Sequence, residues 1–331
     1  MRKTALITGA SSGIGYELSK VLAKNGYNLV LVSRNTEKLK IISEEIRKKD
    51  DIKVKVISKD LCKSSAPQEL YDAVAAEGII IDVLVNNAGV GIYGKFIDSS
   101  TQKQMDLIRL NITSLTMLCK LFGRDMAKKG SGRILNVAST AAFQAGPFIS
   151  TYYASKAYVL MLSEALGSEL KQDGVTVSVL CPGPTRTEFF ERNDMIGTRL
   201  EKSPYIMSST KVAEIGFSGL LKGKTVVIPG LINKLLAFSV RLTPRRSKFF
   251  AEWCAGGNWC DSRMVMSAAS AAAEVQAIAK AAGMASAGCF MGVSSLVLVV
   301  PDSSTDRAGR EGLSFLLKPY AGGAVLRYVP S

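Results

Sequence analysis

Histidine is absent from the sequence of 331 residues. Its absence excludes Ser-His-Asp hydrolysis, acid–base chemistry by an imidazole and most zinc enzymes, because all of these depend on that side chain. Any proton transfer in this protein must therefore use another group, and no metal site is expected.

Closely spaced cysteines and long apolar runs are also lacking. The six cysteines contain no CxxC motif, which indicates reduced thiols in a cytoplasmic protein. The apolar run Ala5-Leu6-Ile7 ends at Thr8, far short of the roughly 7 to 15 residues of a signal peptide. The most apolar later window, 288–300, is shorter than the roughly 18 residues that cross a bilayer. Neither secretion nor a transmembrane helix is predicted.

Positive charge is present in excess, with a formal net charge of +14. Such a charge fits nucleic acid, an acidic membrane or a phosphate-rich cofactor, but no nucleic-acid-binding motif accompanies it, so no nucleic-acid partner is expected. The stretch 226–250 combines apolar residues at near-helical spacing with five basic residues. This pattern indicates either a subunit or lid helix or a peripheral contact with an anionic membrane.

Short apolar segments alternate with longer helical segments from residue 4 to residue 181. The pattern predicts strands at 4–8, 29–33, 53–58, 79–86, 132–139 and 175–181, and helices at 13–25, 37–48, 67–77, 111–129 and 152–172. Strands separated by such helices predict right-handed βαβ units. The expected fold class is α/β, a Rossmann-like doubly wound parallel sheet with helices on both faces, in which Ile79-Ile80-Ile81 belongs to a strand buried on both sides.

A change of composition near Trp253 indicates a domain boundary. The stretch 267–295 is dominated by Ala, Ser and Gly, and charged residues become sparse there. We therefore predict a Rossmann domain at 1–252 and a C-terminal extension of unknown nature at 253–331.

The stretch TGASSGIG, at 8–15, follows the first predicted strand. In an open parallel sheet, the first turn from strand to helix can wrap a pyrophosphate with its backbone N–H groups. Gly9 would supply the tight turn, Gly13 the close approach of the backbone, and Gly15 the close packing of the helix. Ser11 and Ser12 would add hydroxyl donors. A glycine turn of this kind also serves chain geometry alone.

The spacing of these glycines departs from G-x-G-x-x-G and resembles the TGxxxGxG motif of the short-chain dehydrogenase/reductase family. Thr8, Gly9, Gly13, Ile14 and Gly15 match that motif. The resemblance continues in order over roughly residues 1–250 and implies further cofactor contacts. These are Asp60 and Leu61 at the adenine ring, Asn86-Asn87-Ala88-Gly89 as the NNAG motif behind the cofactor, and Pro182-Gly183 with Thr185 and Thr187 near the nicotinamide.

The resemblance also implies a catalytic tetrad of Asn111, Ser139, Tyr152 and Lys156. In the family these residues hold a relay water, orient the substrate oxygen, transfer the proton and bind the cofactor ribose, respectively. Tyr152 and Lys156 are four residues apart and project from one helix face, and a lysine ammonium lowers the pKa of a nearby phenol. Tyr153 shares a face with Lys156 as well, but the family pattern YxxxK selects Tyr152.

The end of the second predicted strand indicates which nicotinamide cofactor is used. NAD-binding proteins of this fold place an acidic residue there to hold the ribose 2′-hydroxyl, but this sequence has Ser33 followed by Arg34. Arginine can form paired hydrogen bonds with a 2′-phosphate. NADP(H) is therefore expected rather than NAD(H).

The expected function is that of an NADP(H)-dependent oxidoreductase that transfers a hydride between the nicotinamide and a carbonyl or secondary alcohol substrate. The protein is expected to form a homodimer or homotetramer. An epimerase or dehydratase on the same fold, or a non-catalytic NADP(H) sensor, is the alternative. The residues after Gly183 would line an apolar substrate pocket or pack within a lid. The apolar residues that could line this pocket are Phe189, Phe190, Met195, Ile196 and Tyr205.

Overall fold

The computed structural model describes residues 2–193, 195–198, 206–242, 315–320 and 323–328. The chain divides into two compact units, Met1–Trp259 and Cys260–Ser331. In the second unit, strands β10 (Phe315–Tyr320) and β11 (Gly323–Tyr328) pair as an antiparallel hairpin. The predicted boundary at 252 and the residue Tyr205 lie outside the described residues, and the division at 252 stays a prediction.

A central sheet of seven parallel strands organises the first unit. Its strands are β1 (Thr4–Thr8), β2 (Asn28–Ser33), β3 (Val54–Ser58), β4 (Val83–Asn86), β5 (Gly132–Val137), β6 (Val175–Leu180) and β9 (Val226–Val227), in the spatial order β3-β2-β1-β4-β5-β6-β9. Two shorter strands, β7 (Thr185–Arg186) and β8 (Met207–Ser208), pair with each other beside it. The strand order reverses between β1 and β4. The connections that follow these two strands therefore run to opposite faces of the sheet and leave a crevice for a ligand.

Helices cover both faces of the sheet, which confirms the doubly wound α/β fold. They are α1 (Gly13–Lys24), α2 (Thr36–Lys49), α3 (Ala66–Ala76), α4 (Thr101–Ile108), α5 (Leu115–Lys129), α6 (Ser150–Glu169), α7 (Phe189–Arg192), α8 (Ser209–Leu221) and α9 (Leu231–Leu242). One core joins the sheet to α3, α5 and α6, and the other joins it to α1, α2 and α8.

The strand side chains alternate between these two cores. On β1, Leu6 belongs to one core, whereas Ala5 and Ile7 belong to the other, and all are fully buried. This alternation follows from the two-residue period of a strand. Burial of a leucine or isoleucine of this kind contributes about 1.5 to 3 kcal/mol, so the central strands anchor the fold.

The predicted strand 79–86 was wrong in its first half, because β4 begins only at Val83. Ile79 N instead donates to Val74 O and completes the end of α3, where Gly78 adopts a positive φ of 63°. Ile80 is 62% exposed, so this apolar run does not lie in a buried strand. The first residue of this apolar run therefore belongs to the C-terminal cap of α3, as in a Schellman motif.

The basic stretch 226–250 begins with β9 and α9. Apolar side chains of α9 are exposed, among them Leu231, Leu235 and Phe238. Within the described ranges, no helix is both long enough and apolar enough to cross a bilayer. Peripheral membrane contact through this stretch stays a prediction.

Candidate active site

The carboxyl ends of the parallel strands bring the sequence-predicted residues to one edge of the sheet. Thr8 ends β1, Ser33 ends β2 and Asn86 ends β4, while Ser139 follows β5. Parallel strands all end on the same side, so these motifs meet although up to 131 residues separate Thr8 from Ser139.

The glycine turn after β1 is built for close approach of a ligand. Gly9 and Gly13 have positive φ values of 65° and 55°, a conformation that favours glycine. A Cβ on Gly15 would lie 2.3 Å from Asn87 Nδ2 and 2.4 Å from Gly9 O, so helix α1 packs where only glycine fits. The first turn of α1 contains no acidic residue, and no side-chain hydrogen bond caps it at Ser12. Its N–H groups can therefore bind an anion such as a phosphate.

The NNAG segment after β4 is fastened to this turn. Thr8 Oγ1 accepts hydrogen bonds from Asn87 N at 3.0 Å and Ala88 N at 3.1 Å. Asn87 Nδ2 donates to Thr8 O at 3.0 Å and to Gly9 O at 3.2 Å. The glycine turn and the NNAG segment therefore form one rigid wall of the crevice, and Thr8 takes part in the hydrogen bonds that join them.

The expected adenosine end of the crevice lies beside β2 and β3. Arg34 is exposed, and its carbonyl oxygen accepts a hydrogen bond from Ser58 Oγ at 3.4 Å. Asp60 Oδ1 accepts from Cys62 N at 3.1 Å. Leu61 is buried. The Arg34 side chain is thus exposed to solvent at the end of β2. This is the edge of the crevice where the sequence predicts the cofactor ribose.

Ser139, Tyr152 and Lys156 come together between the end of β5 and α6. The Ser139 side chain lies beside the Tyr152 phenol and acts to lower its pKa. Lys156 Nζ lies 5.6 Å from the centroid of the Tyr152 ring and donates to Val137 O at 2.8 Å. Lys156 is only 5% exposed, so a single carbonyl oxygen carries much of the solvation of its ammonium group.

Burial dominates the pKa values of this pair. It raises the pKa of Tyr152 to about 12, against which the nearby Ser139 side chain acts only in part. It also lowers the pKa of Lys156 to about 8. The expected lowering of the Tyr152 pKa by Lys156 was therefore wrong for the protein alone, because burial disfavours the charged form of each group and is the largest cause of both shifts.

Tyr153 lies in the same apolar cluster as Tyr152, with the two ring centroids 6.2 Å apart, but makes different contacts. Its ring packs against Gly146, where a Cβ would meet Tyr153 ring atoms at 2.5 Å. It belongs to a small buried cluster with Ala141 and Ile149. This packing leaves Tyr152, rather than Tyr153, beside Ser139.

Asn111 lies in a π-helical segment, Arg109–Ser114, between α4 and α5, and not in the regular helix expected over 111–129. Its Nδ2 donates to Val90 O at 2.9 Å and to Ser155 Oγ at 3.0 Å, while its Oδ1 accepts from Val90 N at 3.0 Å. A Cβ on Gly89 would lie 3.3 Å from both Asn111 Oδ1 and Lys156 Nζ. Asn111 therefore faces the same small space as Lys156.

The segment after β6 closes the end of the crevice at which the nicotinamide is expected. Pro182 O accepts from Thr140 N at 2.9 Å and from Ser139 Oγ at 3.4 Å. Thr185 Oγ1 donates to Gly183 O at 2.9 Å. A Cβ on Gly13 would lie 2.9 Å from Thr187 Cγ2, so this segment meets the glycine turn across the crevice.

An aromatic cluster surrounds Tyr152. The ring of Phe189 lies 5.3 Å from the ring of Tyr152, and Phe190 packs edge-on against Phe189. Met195 is buried in the same cluster, whereas Ile196 is 66% exposed and lies outside it. Ile196 therefore lies outside this apolar cluster, and the substrate pocket expected here stays a prediction.

Two asparagines and a serine of this region escaped the sequence analysis. Asn193 Oδ1 accepts from Gly91 N at 2.7 Å. The side chain of Asn233, on α9, fills the space beside Gly183, where a Cβ would lie 2.4 Å from its Oδ1. Ser155 links Asn111 to α6. Each makes its contact with a residue distant in sequence, which a single sequence does not reveal. Only Ser155 had a local signal, because its i+3 spacing places it on the same helix face as Tyr152.

Comparison with known proteins identifies this architecture. The family model described as short chain dehydrogenase matches residues 3–195. The chain belongs to the short-chain dehydrogenase family.

Curated relatives and solved structures that are similar to this chain are consistent with this family. The chain is 36% identical over 222 residues to 17-beta-hydroxysteroid dehydrogenase type 3 of Mus musculus, which covers 65% of this chain and 70% of the relative. A short-chain dehydrogenase from Sphingobium yanoikuyae in complex with NADPH is 30% identical, with a TM-score of 0.66 over 72% of this chain and 93% of that one. One from Burkholderia phymatum in complex with NAD is 26% identical, with a TM-score of 0.64 over 73% and 92%.

Proposed function

We propose that this short-chain dehydrogenase is an NADP(H)-dependent oxidoreductase acting on a carbonyl or secondary alcohol substrate, with Tyr152 as the general acid and base. The observation that carries the proposal is that the Ser139 side chain interacts with the Tyr152 phenol, while the Lys156 ammonium lies 5.6 Å from the Tyr152 ring. A nicotinamide, when bound, supplies or accepts the hydride. Tyr152 then exchanges the proton with the substrate oxygen.

The remaining site residues divide between chemistry and binding. Ser139 orients the substrate oxygen, Lys156 binds the ribose and stabilises the phenolate of Tyr152, and Asn111 supports a proton relay behind Lys156. The crevice fits a dinucleotide, because the first turn of α1 carries no acidic residue and no side-chain hydrogen bond caps its N–H groups, which can therefore bind a pyrophosphate. The proposed cofactor contacts are Gly9, Ser11, Ser12, Gly13, Ile14, Gly15, Ser33, Arg34, Asp60, Leu61, Asn87, Ala88, Gly89, Tyr152, Lys156, Pro182, Gly183, Thr185 and Thr187.

The pKa values of the pair favour carbonyl reduction at neutral pH. With a pKa of about 12, Tyr152 keeps the proton that reduction requires over the whole working range. Lys156, with a pKa of about 8, is charged below that pH and neutral above it. Only the charged ammonium stabilises the phenolate that remains after proton transfer.

We therefore expect kcat for carbonyl reduction to fall as pH rises through about 8. The fall follows the loss of the Lys156 charge and approaches tenfold per pH unit when only the charged form is active. The measurement is kcat at saturating NADPH and ketone between pH 6 and pH 10, for the wild type and Lys156→Met. A wild-type profile that is flat across pH 8, or the same step in Lys156→Met, would contradict the assignment.

NADP(H) is the proposed cofactor on the strength of Arg34. This exposed guanidinium follows the last residue of β2, Ser33, whose small hydroxyl neither repels nor crowds a 2′-phosphate. An arginine can hold such a phosphate through paired charge-assisted hydrogen bonds.

Arg34→Asp should raise the KM for NADPH by about tenfold, because a hydrogen bond to a charged group contributes about 1.5 to 3 kcal/mol. The KM for NADPH should then lie close to the KM for NADH. Lys48→Asp, the same change of charge near the far end of α2, is the matched control and should leave the KM unchanged. Initial rates with NADPH and NADH decide the matter. An equal rise in both variants would mean that net charge, and not Arg34, governs the affinity.

The proposed substrate is a bulky apolar ketone or the corresponding secondary alcohol. Phe189, Phe190 and Met195 form an apolar wall beside Tyr152. The murine relative is named for a hydroxysteroid, a substrate of this kind. Such a wall favours ring-bearing substrates over small or charged carbonyl compounds.

The function is tested by following NADPH absorbance with steroid and aryl ketones, quinones, small aldehydes and acetoacetyl thioesters, with NADH in parallel. Loss of absorbance, fastest with a bulky ketone and NADPH, supports the proposal. Tight NADPH binding without turnover of any compound would favour a sensor, and conversion of substrate without net loss of NADPH would favour an epimerase or dehydratase.

The proposed setting is a homodimer or homotetramer in the cytoplasm, as is expected from the resemblance. Cys62, Cys119 and Cys181 are unpaired, the state of thiols in a reducing compartment. Light scattering of the purified full chain measures the oligomeric state.

A further inference from the structure

Two asparagines hold consecutive peptide units beside the proposed catalytic centre. Asn111 binds both the N–H and the carbonyl oxygen of Val90, at 3.0 and 2.9 Å. Asn193 binds the next residue, because its Oδ1 accepts a hydrogen bond from Gly91 N at 2.7 Å. Asn111 comes from the helical side of the site and Asn193 from the opposite side. The short segment Gly89 to Gly91 is therefore held between them.

Asn193 belongs to residues 187–193, which we call the lid segment. It is only 6% exposed, and its Nδ2 donates to Phe189 O at 2.5 Å. Its side-chain amide thus accepts from one backbone group and donates to another at the same time. An aspartate cannot donate and a leucine can do neither, so the pair of bonds requires an amide here.

The bond to Gly91 fixes the position of an aromatic ring. Phe189 Cζ lies 3.0 Å from the place of a Cβ on Gly91, so the ring rests where a larger residue would displace it. The other side of the ring packs against Tyr152, with ring centroids 5.3 Å apart. Phe189 is therefore held between Gly91 and Tyr152, and Asn193 closes the arrangement from the end of α7.

We propose that Asn193 is a positioning residue that latches the lid segment to Gly91 and so holds Phe189 against Tyr152 as a wall for the substrate. This inference rests on the proposed function, because the wall matters for a ketone bound at Tyr152. Asn193 contacts none of the proposed reacting groups and acts through Phe189.

Asn193→Leu should raise the KM for a bulky aryl ketone by about tenfold, with kcat and the Kd for NADPH changed by less than about threefold. The matched control is Asn28→Leu. Asn28 Oδ1 accepts a hydrogen bond from Lys53 N at 2.9 Å, at the far end of the sheet, so its loss removes a similar bond away from the site. A rise in KM in both variants, or a fall in kcat without a rise in KM, would overturn the proposal.

A double-mutant cycle separates a latch from a general loss of structure. Phe189→Leu alone should also raise the KM for the bulky ketone. When Asn193→Leu is added to Phe189→Leu, KM should rise by less than about a further twofold, because the latch acts through the ring that is already missing. Effects that multiply in full would show that Asn193 does not act through Phe189.

Hydrogen exchange at the Gly91 amide tests the latch without any enzyme assay. In the full chain this amide should exchange slowly, and Asn193→Leu should accelerate it by at least about tenfold while amides of β1 keep their wild-type rates. Equal exchange in wild type and variant would overturn the latch. Exchange that depends on Asn193, in a protein that reduces no carbonyl compound, would support the latch and overturn the proposed function alone.

Discussion

Tyr152→Phe is expected to lower kcat for ketone reduction by about 10²- to 10⁴-fold, the usual contribution of a positioned general acid. The ring and its packing against Phe189 are retained, so only the hydroxyl beside Ser139 is lost. The Kd for NADPH should stay within about twofold of the wild type, because the glycine turn and the NNAG segment are untouched.

The neighbouring tyrosine offers a matched control. Tyr153→Phe makes the same chemical change one residue away, in a ring that packs against Gly146. It should retain most of the wild-type kcat. Stopped-flow measurement of NADPH oxidation in a single turnover compares the three proteins. A larger loss in Tyr153→Phe than in Tyr152→Phe would transfer the role of acid to Tyr153.

Gly9→Ala is expected to weaken NADPH binding by about 100-fold, the equivalent of roughly 3 kcal/mol. A Cβ there would lie 2.8 Å from Asn87 Nδ2 and 2.9 Å from Ala88 Cα, on a residue with a φ of 65°. The left-handed conformation costs about 1 to 2 kcal/mol for alanine. Overpacking adds about 1 to 3 kcal/mol. The turn must shift away from the NNAG segment, which misplaces the N–H groups that face the pyrophosphate.

Gly26→Ala isolates the contribution of backbone conformation. Gly26 has a φ of 78°, but no heavy atom lies within 4 Å of the place of its Cβ. We expect this variant to lose about 1 to 2 kcal/mol of unfolding free energy and to bind NADPH as the wild type does. Urea unfolding and fluorescence titration with NADPH give both quantities. Equal affinities in the two alanine variants would show that the turn at Gly9 does not form the pyrophosphate site.

The central strands and the glycine turn were predictable because local patterns determine them. The β1 side chains Ala5, Leu6 and Ile7 are buried on both faces, as an apolar run between helices indicates. The run Ile79-Ile80-Ile81 carried the same signal but ends a helix, because Gly78 and the bond from Ile79 N to Val74 O complete the α3 cap. Composition alone does not distinguish these two uses of isoleucine.

The finer structure of the site depends on contacts that a single sequence does not display. The π-helical segment that aims Asn111 at Val90 has no local signature, and the bond from Gly91 to Asn193 spans 102 residues. The expected lowering of the Tyr152 pKa was wrong for a related reason. The helix spacing places the two side chains on one face, but only the fold shows that burial is the largest cause of both pKa shifts, with Lys156 buried and Tyr152 half-buried.

Transfer of deuterium tests the central claim most directly. The wild-type protein is incubated with a bulky ketone and NADPH that carries deuterium at both C4 positions, and the alcohol is analysed by mass spectrometry. The account predicts a single deuterium on the carbinol carbon, with product formation strongly reduced in Tyr152→Phe. An alcohol without deuterium, or an altered substrate formed without consumption of NADPH, would contradict it.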